Sequence, residues 1–215
     1  MPAHPAAPPE TGSPGPLRLV VATANADKAV EIAEILAGAL PGGVELVPRP
    51  PAVPEVEETG ETFEANARLK ATALCTATGL PAVADDSGLE VDALGGAPGV
   101  RSARYAGPAA TSGDNLARLL EELDGVDDRR ARFRTVALVA FPDGTELVAE
   151  GRCEGRIAEG ARGGGGFGYD PVFLAEGADG RTFGELSSVD KHALSARGRA
   201  FRALAEGLAA LLEGR

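Results

Sequence analysis

Residues 130–158 read RARFRTVALVAFPDGTELVAEGRCEGRIA, and this stretch decides the fold. Two alternating β-rich runs flank Pro142-Asp143-Gly144-Thr145, a strong turn signal, so the segment predicts a long hairpin. The pattern before it is different. LRLVVATAN (Leu17–Asn25) predicts a strand, and ADKAVEIAEILAGAL follows with Val30, Ile32, Ala33, Ile35, Leu36 and Leu40 at helical spacing. Asn25 or Asp27 can cap that helix and the following Pro-Gly-Gly can end it. VELVP predicts a second strand, and a helix over Thr62 to Thr78 has Thr62 as its cap and Gly79 as its stop. Leu80 to Ala84 reads as a buried strand that ends on Asp85 and Asp86. The segment GGAPGVRSARYAG is expected to lack regular structure, TSGDNLARLLEELDG to be a helix, and EGARGGGGFGYDPVFL to be a glycine loop entering a short strand. A last helix is expected from about Ser195. Strands and helices that alternate early and then give way to a hairpin predict an α/β fold, with a mixed central β-sheet flanked by helices.

Composition bounds the function. The chain of 215 residues is long enough for a proper core, and residues 17–215 contain no repeat and no linker, so one domain is expected there. Residues 1–16, MPAHPAAPPETGSPGP, have the Pro/Ala/Gly bias of a disordered extension and lack the basic and apolar regions of a signal peptide. No apolar run approaches the ~18 residues of a membrane span, so no membrane partner is expected. Cys75 and Cys153 have no metal-site spacing and read as reduced core thiols of a cytoplasmic protein. His4 and His192 are the only histidines, which excludes a His-rich metal site and a Ser-His-Asp triad on a core histidine. A net charge of −11, with no basic run beyond Arg129–Arg134, argues against polymeric nucleic acid as a partner.

Four segments could carry chemistry. TANADK (Thr23, Ala24, Asn25, Ala26, Asp27, Lys28) lies at a strand-to-helix junction, where free N–H groups and the helix dipole favour phosphate, although the same spacing suits any capped helix. EVEETGETFEAN carries Glu55, Glu57 and Glu58; it reads as a solvated acidic loop, or one of its glutamates joins Asp85 and Asp86 around a divalent cation. The opposite-facing pair Asp85 and Asp86, followed by Ser87, is either a turn signal or a site whose two like charges need a cation. GGGGFGYDP brings Phe167, Gly168, Tyr169 and Asp170 together; it is either a flexible linker or a loop that closes over a flat ligand such as a base.

In order and spacing these segments, with DKHALSARGRA near the C-terminus, resemble the inosine triphosphate pyrophosphatase family. The resemblance implies a two-lobed, homodimeric enzyme with its active site in a cleft. Such an enzyme uses Mg²⁺ to cleave non-standard purine nucleoside triphosphates (ITP, dITP, XTP) to the monophosphate and pyrophosphate. It further implies that residues 23–28, with Thr23, Asn25 and Lys28 foremost, contact the triphosphate. By the same resemblance Glu57 and Asp86 bind metal, Asp86 is the catalytic base with Asp85 and Asn66 in support, and Ser87 touches substrate. Phe167, Gly168, Tyr169, Asp170, Lys191, Ala196 and Arg197 would form the base pocket. A nucleotide sensor or an orthophosphate-releasing phosphatase are the alternatives; the intact acid pair, Lys28 and Glu57 argue against the sensor.

The chain departs from the family pattern twice. Ser195-Ala196-Arg197 stands where the family usually reads Ser-His-Arg, and Ala65 precedes Asn66 where Glu is frequent. If one helix ran through both, His192 would share a face with Ala196 and could replace the lost base contact.

Overall fold

The computed structural model describes residues 16–23, 25–40 and 43–213. Six strands form one sheet in the order β2-β1-β3-β4-β5-β6. They are β1 (Leu17–Val21), β2 (Val44–Val47), β3 (Ala82–Val91), β4 (Arg130–Ala140), β5 (Glu146–Ile157) and β6 (Phe173–Ala175). β1 pairs parallel with β2 and β3, while β3, β4, β5 and β6 pair antiparallel in turn. The sheet is therefore mixed, as expected, and the quoted hairpin is the antiparallel half of it. Five helices flank it: α1 (Ala26–Ala39), α2 (Phe63–Thr78), α3 (Ser112–Glu122), α4 (Ser188–Leu194) and α5 (Ala196–Glu213).

Local signals act where they were read. The Asn25 side chain caps α1, Thr62 caps α2, and Gly79 ends α2 in the left-handed conformation at φ 67°, which costs glycine little. Two expectations need correction. β3 does not end at Asp85-Asp86 but runs on to Val91, because β4 pairs with it across the whole stretch, Asp85 opposite Ala137 and Asp86 opposite Val136. Residues 99–104 form a 3-10 helix although the segment around them is rich in Gly and Pro. The last helix begins at Ala196, in line with the expected start near Ser195, and a short helix that was not expected, α4, precedes it across Ser195, whose ψ of 151° is extended.

The core is three clusters arranged along the strands. On one face of the sheet, α1 and α5 pack on Leu19, Val21, Val83, Ala137 and Val139. On the other face, α2 packs on Val20, Ala82, Ala84, Val136 and Leu138. Further along the same strands, Leu89, Val91, Ala131, Cys153 and Ile157 join α3 and the aromatic group Tyr169, Phe173 and Phe183. Asp85 and Ser87 fall between Val83 of the first cluster and Leu89 of the third. The polar pair thus occupies the gap where one apolar cluster stops and the next begins, which places a cleft at mid-strand. Cys75 and Cys153 are free and buried, as read from the sequence. No helix among the described residues is long and apolar enough to cross a membrane.

Candidate active site

Adjacent side chains on a strand point to opposite faces, so Asp85 and Asp86 look into different surroundings although both are buried. Asp85 faces α1 and α5. Its Oδ2 accepts from Arg197 Nε and Nη2 at 3.3 and 3.2 Å and from Ser87 Oγ at 2.8 Å, with Lys28 Nζ 3.6 Å away. Burial alone would raise this carboxyl, but Lys28, Arg197 and Lys70 outweigh it and hold Asp85 far below the usual carboxylate range.

Arg197 is anchored on its other side by Glu31 of α1, which also accepts from Lys191 Nζ at 2.7 Å. Lys191 donates a second bond, 2.8 Å, to Asp170 Oδ2, and that oxygen accepts the Phe167 N–H at 2.8 Å. The Phe167 ring then lies against both cations, 4.7 Å from Lys191 Nζ and 5.5 Å from Arg197 Cζ. Lys28, Asp85, Arg197, Glu31, Lys191 and Asp170 form a chain of alternating charge, so no cation in it is left without an acid. A cavity beside this chain is lined by Phe167, Gly168, Tyr169, Lys191, Ala196 and Arg197, among others.

Asp86 faces α2. Asn66 Nδ2 donates to its Oδ2 at 2.9 Å, and Lys70 Nζ lies 3.8 Å from its Oδ1 and 2.6 Å from Glu58 Oε1. Asn66 Oδ1 also accepts the Gly60 N–H at 2.7 Å, which pins the acidic loop against the helix, and Arg104 holds Glu58 from the far side at 3.5 Å. Burial pushes the Asp86 carboxyl up; Lys70 opposes this, while Glu58 adds to it. A second cavity is lined by Thr23, Lys28, Glu57, Glu58, Lys70 and Arg104. Asn25, Lys28 and Ala103 line both cavities, so the two adjoin at the N-terminus of α1.

The Ham1 family profile matches residues 19–207, most of the chain. The chain belongs to the Ham1 family. Among curated relatives, a Methylococcus capsulatus protein named dITP/XTP pyrophosphatase is 52% identical over 202 residues, covering 92% of this chain and 98% of its own. A Streptomyces coelicolor protein of the same name is 51% identical over 190 residues, covering 87% and 94%. The solved HAM1 protein from Coxiella burnetii matches at a TM-score of 0.81 and 41% identity, covering 90% of this chain and 98% of that one. A solved nucleoside-triphosphatase / dITP/XTP pyrophosphatase from Mycobacterium abscessus matches at 0.70 and 44%, covering 87% and 97%.

In this Ham1-family chain most residues singled out from the sequence converge on the two cavities. Four line neither cavity: Asp27 is exposed on the first turn of α1, whereas Asn66, Asp85 and Asp86 are buried. Ala24 lies outside the described residues, as does the segment 1–15, and only the backbone of Ala26 is described. The glycine run is no free linker, since Gly165 N–H donates to Gly184 O at 3.0 Å and Arg162 N–H to Pro171 O at 2.8 Å. Tyr169 is committed by its hydroxyl, which donates to Ser102 O at 2.9 Å. His192 does not share a helix with Ala196, because Ser195 separates α4 from α5. Its ring turns instead toward Glu34 and Glu31, at 3.5 and 3.9 Å, and is not part of the cavity wall.

Sequence reasoning missed Glu31, and it missed Lys70 as the partner of Glu58 and Asp86. A signal existed for each. Lys28 and Glu31 are three apart on α1, and Asn66 and Lys70 four apart on α2, so each pair shares a helix face. The chain also has only three lysines, Lys28, Lys70 and Lys191, among 21 basic residues, and all three lie in the cleft.

The donor set suits a hard divalent cation shared with a ligand. Among the described residues no group of three or more His, Cys, Asp or Glu side chains is placed to hold a metal ion on its own. Mg²⁺ characteristically takes one or two protein carboxylates and completes its shell with water and phosphate oxygens. Glu57 and Glu58 on the cavity wall, with Asp86 reached through Lys70, fit that pattern.

Proposed function

We propose that this chain hydrolyses non-standard purine nucleoside triphosphates (ITP, dITP and XTP) between the α- and β-phosphates, releasing the monophosphate and pyrophosphate. The observation that carries this reading is the pair of adjoining cavities. One has an aromatic wall and hydrogen-bond donors, the other cations and carboxylates, and they meet at Lys28 and the α1 N-terminus. A base fits the first, and a triphosphate the second, where free N–H groups and the helix dipole favour anions.

Phe167, fixed by Lys191 and Arg197, offers its ring to the base, and the nearby donors address a 6-oxo group where adenine has an amino group. Thr23, Asn25 and Lys28 hold phosphate oxygens, and Ser87 touches the substrate at the joint. Glu57 and Asp86, with Glu58 alongside, would hold Mg²⁺. When bound, the ion neutralises phosphate charge and lowers the pKa of coordinated water. Asp86 accepts the proton of the attacking water. Asp85 and Asn66 act through others: Asp85 fixes Lys28 and Arg197, and Asn66 orients Asp86 and the acidic loop. Residues 17–215 act as one catalytic domain, and the working form is a homodimer in the cytoplasm, as the resemblance implies.

Incubating the chain with ITP and Mg²⁺ tests the reaction, with pyrophosphate and inosine monophosphate as the expected products. Orthophosphate alone, or no turnover, defeats the proposal. Asp86→Asn is expected to lower kcat by about 10³-fold, between the contribution of a general base and its loss from the site altogether. Its melting temperature should stay near wild type, because Asn keeps a polar group toward Lys70.

A further inference from the structure

Lys70 differs from the other two cleft lysines in its partners. Lys28 and Lys191 are tied into the charge chain at the base cavity, whereas Lys70 Nζ lies 2.6 Å from Glu58 Oε1 and 3.8 Å from Asp86 Oδ1. Those two acids come from different elements, the 55–60 loop and β3, and Lys70 is the cation that touches both, so it offsets the repulsion between them. Lys70 is mostly buried, its side chain 13% exposed, and its stem rises from the face of α2 that also carries Asn66. Its head lines the same cavity as Lys28. An ammonium is a compact point charge on a flexible stem and can leave a carboxylate by rotating a few bonds, unlike a forked guanidinium. In a chain that uses arginine for most of its positive charges, lysine at this position is the residue that could move.

We propose that Lys70 is the resident counter-ion of the Glu58–Asp86 pair and that it yields these acids to a divalent cation, swinging into the cavity it shares with Lys28. Lys70 then has two stations, one on the acids and one in the anion-binding cavity. Occupation of the acids by a cation transfers its charge to the place where a polyphosphate lies, and the two binding events become coupled. Without nucleotide the exchange is poorly rewarded, so a divalent cation alone must compete with Lys70 for its ligands. This rests on the reading of the cleft as a cation-assisted hydrolase, but its test needs no turnover and is separate from the hydrolysis assay.

Titration calorimetry of MgCl₂ into the full chain, without nucleotide, compares wild type, Lys70→Arg and Lys70→Gln. Lys70→Gln is expected to bind Mg²⁺ about 5-fold or more tightly than wild type, the lower end of ordinary coupling between two ligands. Lys70→Arg should gain nothing. Mg²⁺ binding by Lys70→Gln that is no tighter than wild type, or undetectable, overturns the proposal. Should Lys70→Gln fail to fold, wild type provides a second reading. With three lysines in the chain, ¹³C-dimethylation gives a small set of NMR signals, and Lys70 is assigned from its loss in Lys70→Arg. The Lys70 signal is expected to shift on titration with Mg²⁺ alone while that of Lys191 stays in place. A Lys70 signal that stays put through the whole titration refutes the exchange.

Discussion

Ala196 puts a methyl group into the wall of a cavity to which Lys191 and Arg197 bring cations and Phe167 an aromatic ring. It is buried at the first position of α5, beside Arg197, whose guanidinium is committed to Asp85 and Glu31. His192 faces Glu34 and Glu31, so it supplies no base contact from that position. On the proposed reading, base discrimination by this chain would rest on fewer edge contacts than the family pattern implies. Ala196→His is expected to raise the ratio of kcat/KM for ITP over ATP by about 5-fold, what one added hydrogen bond contributes at ~1 kcal/mol. Steady-state kinetics on both substrates checks this, and an unchanged ratio would mean that discrimination lies elsewhere in the wall. At this scale the sequence was legible where chemistry is local. Asp85 and Asp86 announce themselves by adjacency, and a strand dictates that they part. What adjacency hides is the cation each one meets. Arg197 lies 112 residues from Asp85 in the chain, and Lys191 160 residues from Glu31, so these pairings depend on topology that no local pattern carries.

The elements hold the site through two close approaches of backbone. One is the break at Ser195, which turns α5 so that Arg197 points at β3 while Lys191 of α4 reaches Asp170 and Glu31. The other is Gly151 on β5, where a Cβ would collide with the Ala196 carbonyl oxygen and the Ala200 nitrogen. β5 can carry α5 this close only because it offers no side chain there. Gly151→Ala should push the N-terminal turn of α5 off the sheet, costing about 1–3 kcal/mol as overpacked sites do. The same displacement moves Arg197 relative to Asp85, so KM for ITP should rise more than kcat falls. Urea unfolding and steady-state kinetics read the two effects, and a variant with wild-type stability would show that α5 yields freely. Hairpin, caps and apolar stripes made nearly all the elements readable from the sequence. The start of the last helix was legible at Ser195, whose side chain accepts the Gly198 N–H at 3.0 Å while its backbone is extended, as in a capping serine; the seven-residue helix α4 before it was not, because it is too short to show a helical period.

Across the molecule, the cleft stores opposed electrostatic contributions that pH separates. For Asp85 and Glu31, burial raises the carboxyl, but Lys28 and Arg197 at Asp85, and Arg197 and Lys191 at Glu31, outweigh it and leave both depressed. Groups with depressed folded-state values stabilise above their unfolded values, about 3.9 for Asp and 4.3 for Glu, and that stability is lost as pH falls through the folded values. Asp170 has the opposite sign, since burial raises it despite Lys191. Its ionised form is a cost at neutral pH, and that cost is relieved as pH falls through its raised value, which lies above the ordinary 3.8. Stability without Mg²⁺ should therefore hold or rise slightly from pH 7 toward about 4.5, then drop as the Asp85 and Glu31 ion pairs are protonated. Urea midpoints measured in EDTA over that range give the curve. Glu31→Gln should start from a lower midpoint at pH 7, because a buried pair that loses one partner costs about 3 kcal/mol. It should also lose less between pH 4.5 and 3 than wild type, having one depressed carboxylate fewer to titrate. Parallel curves for the two chains would place the acid sensitivity outside this network, and with it the claim that the charge chain of the cleft sets the stability of the empty enzyme.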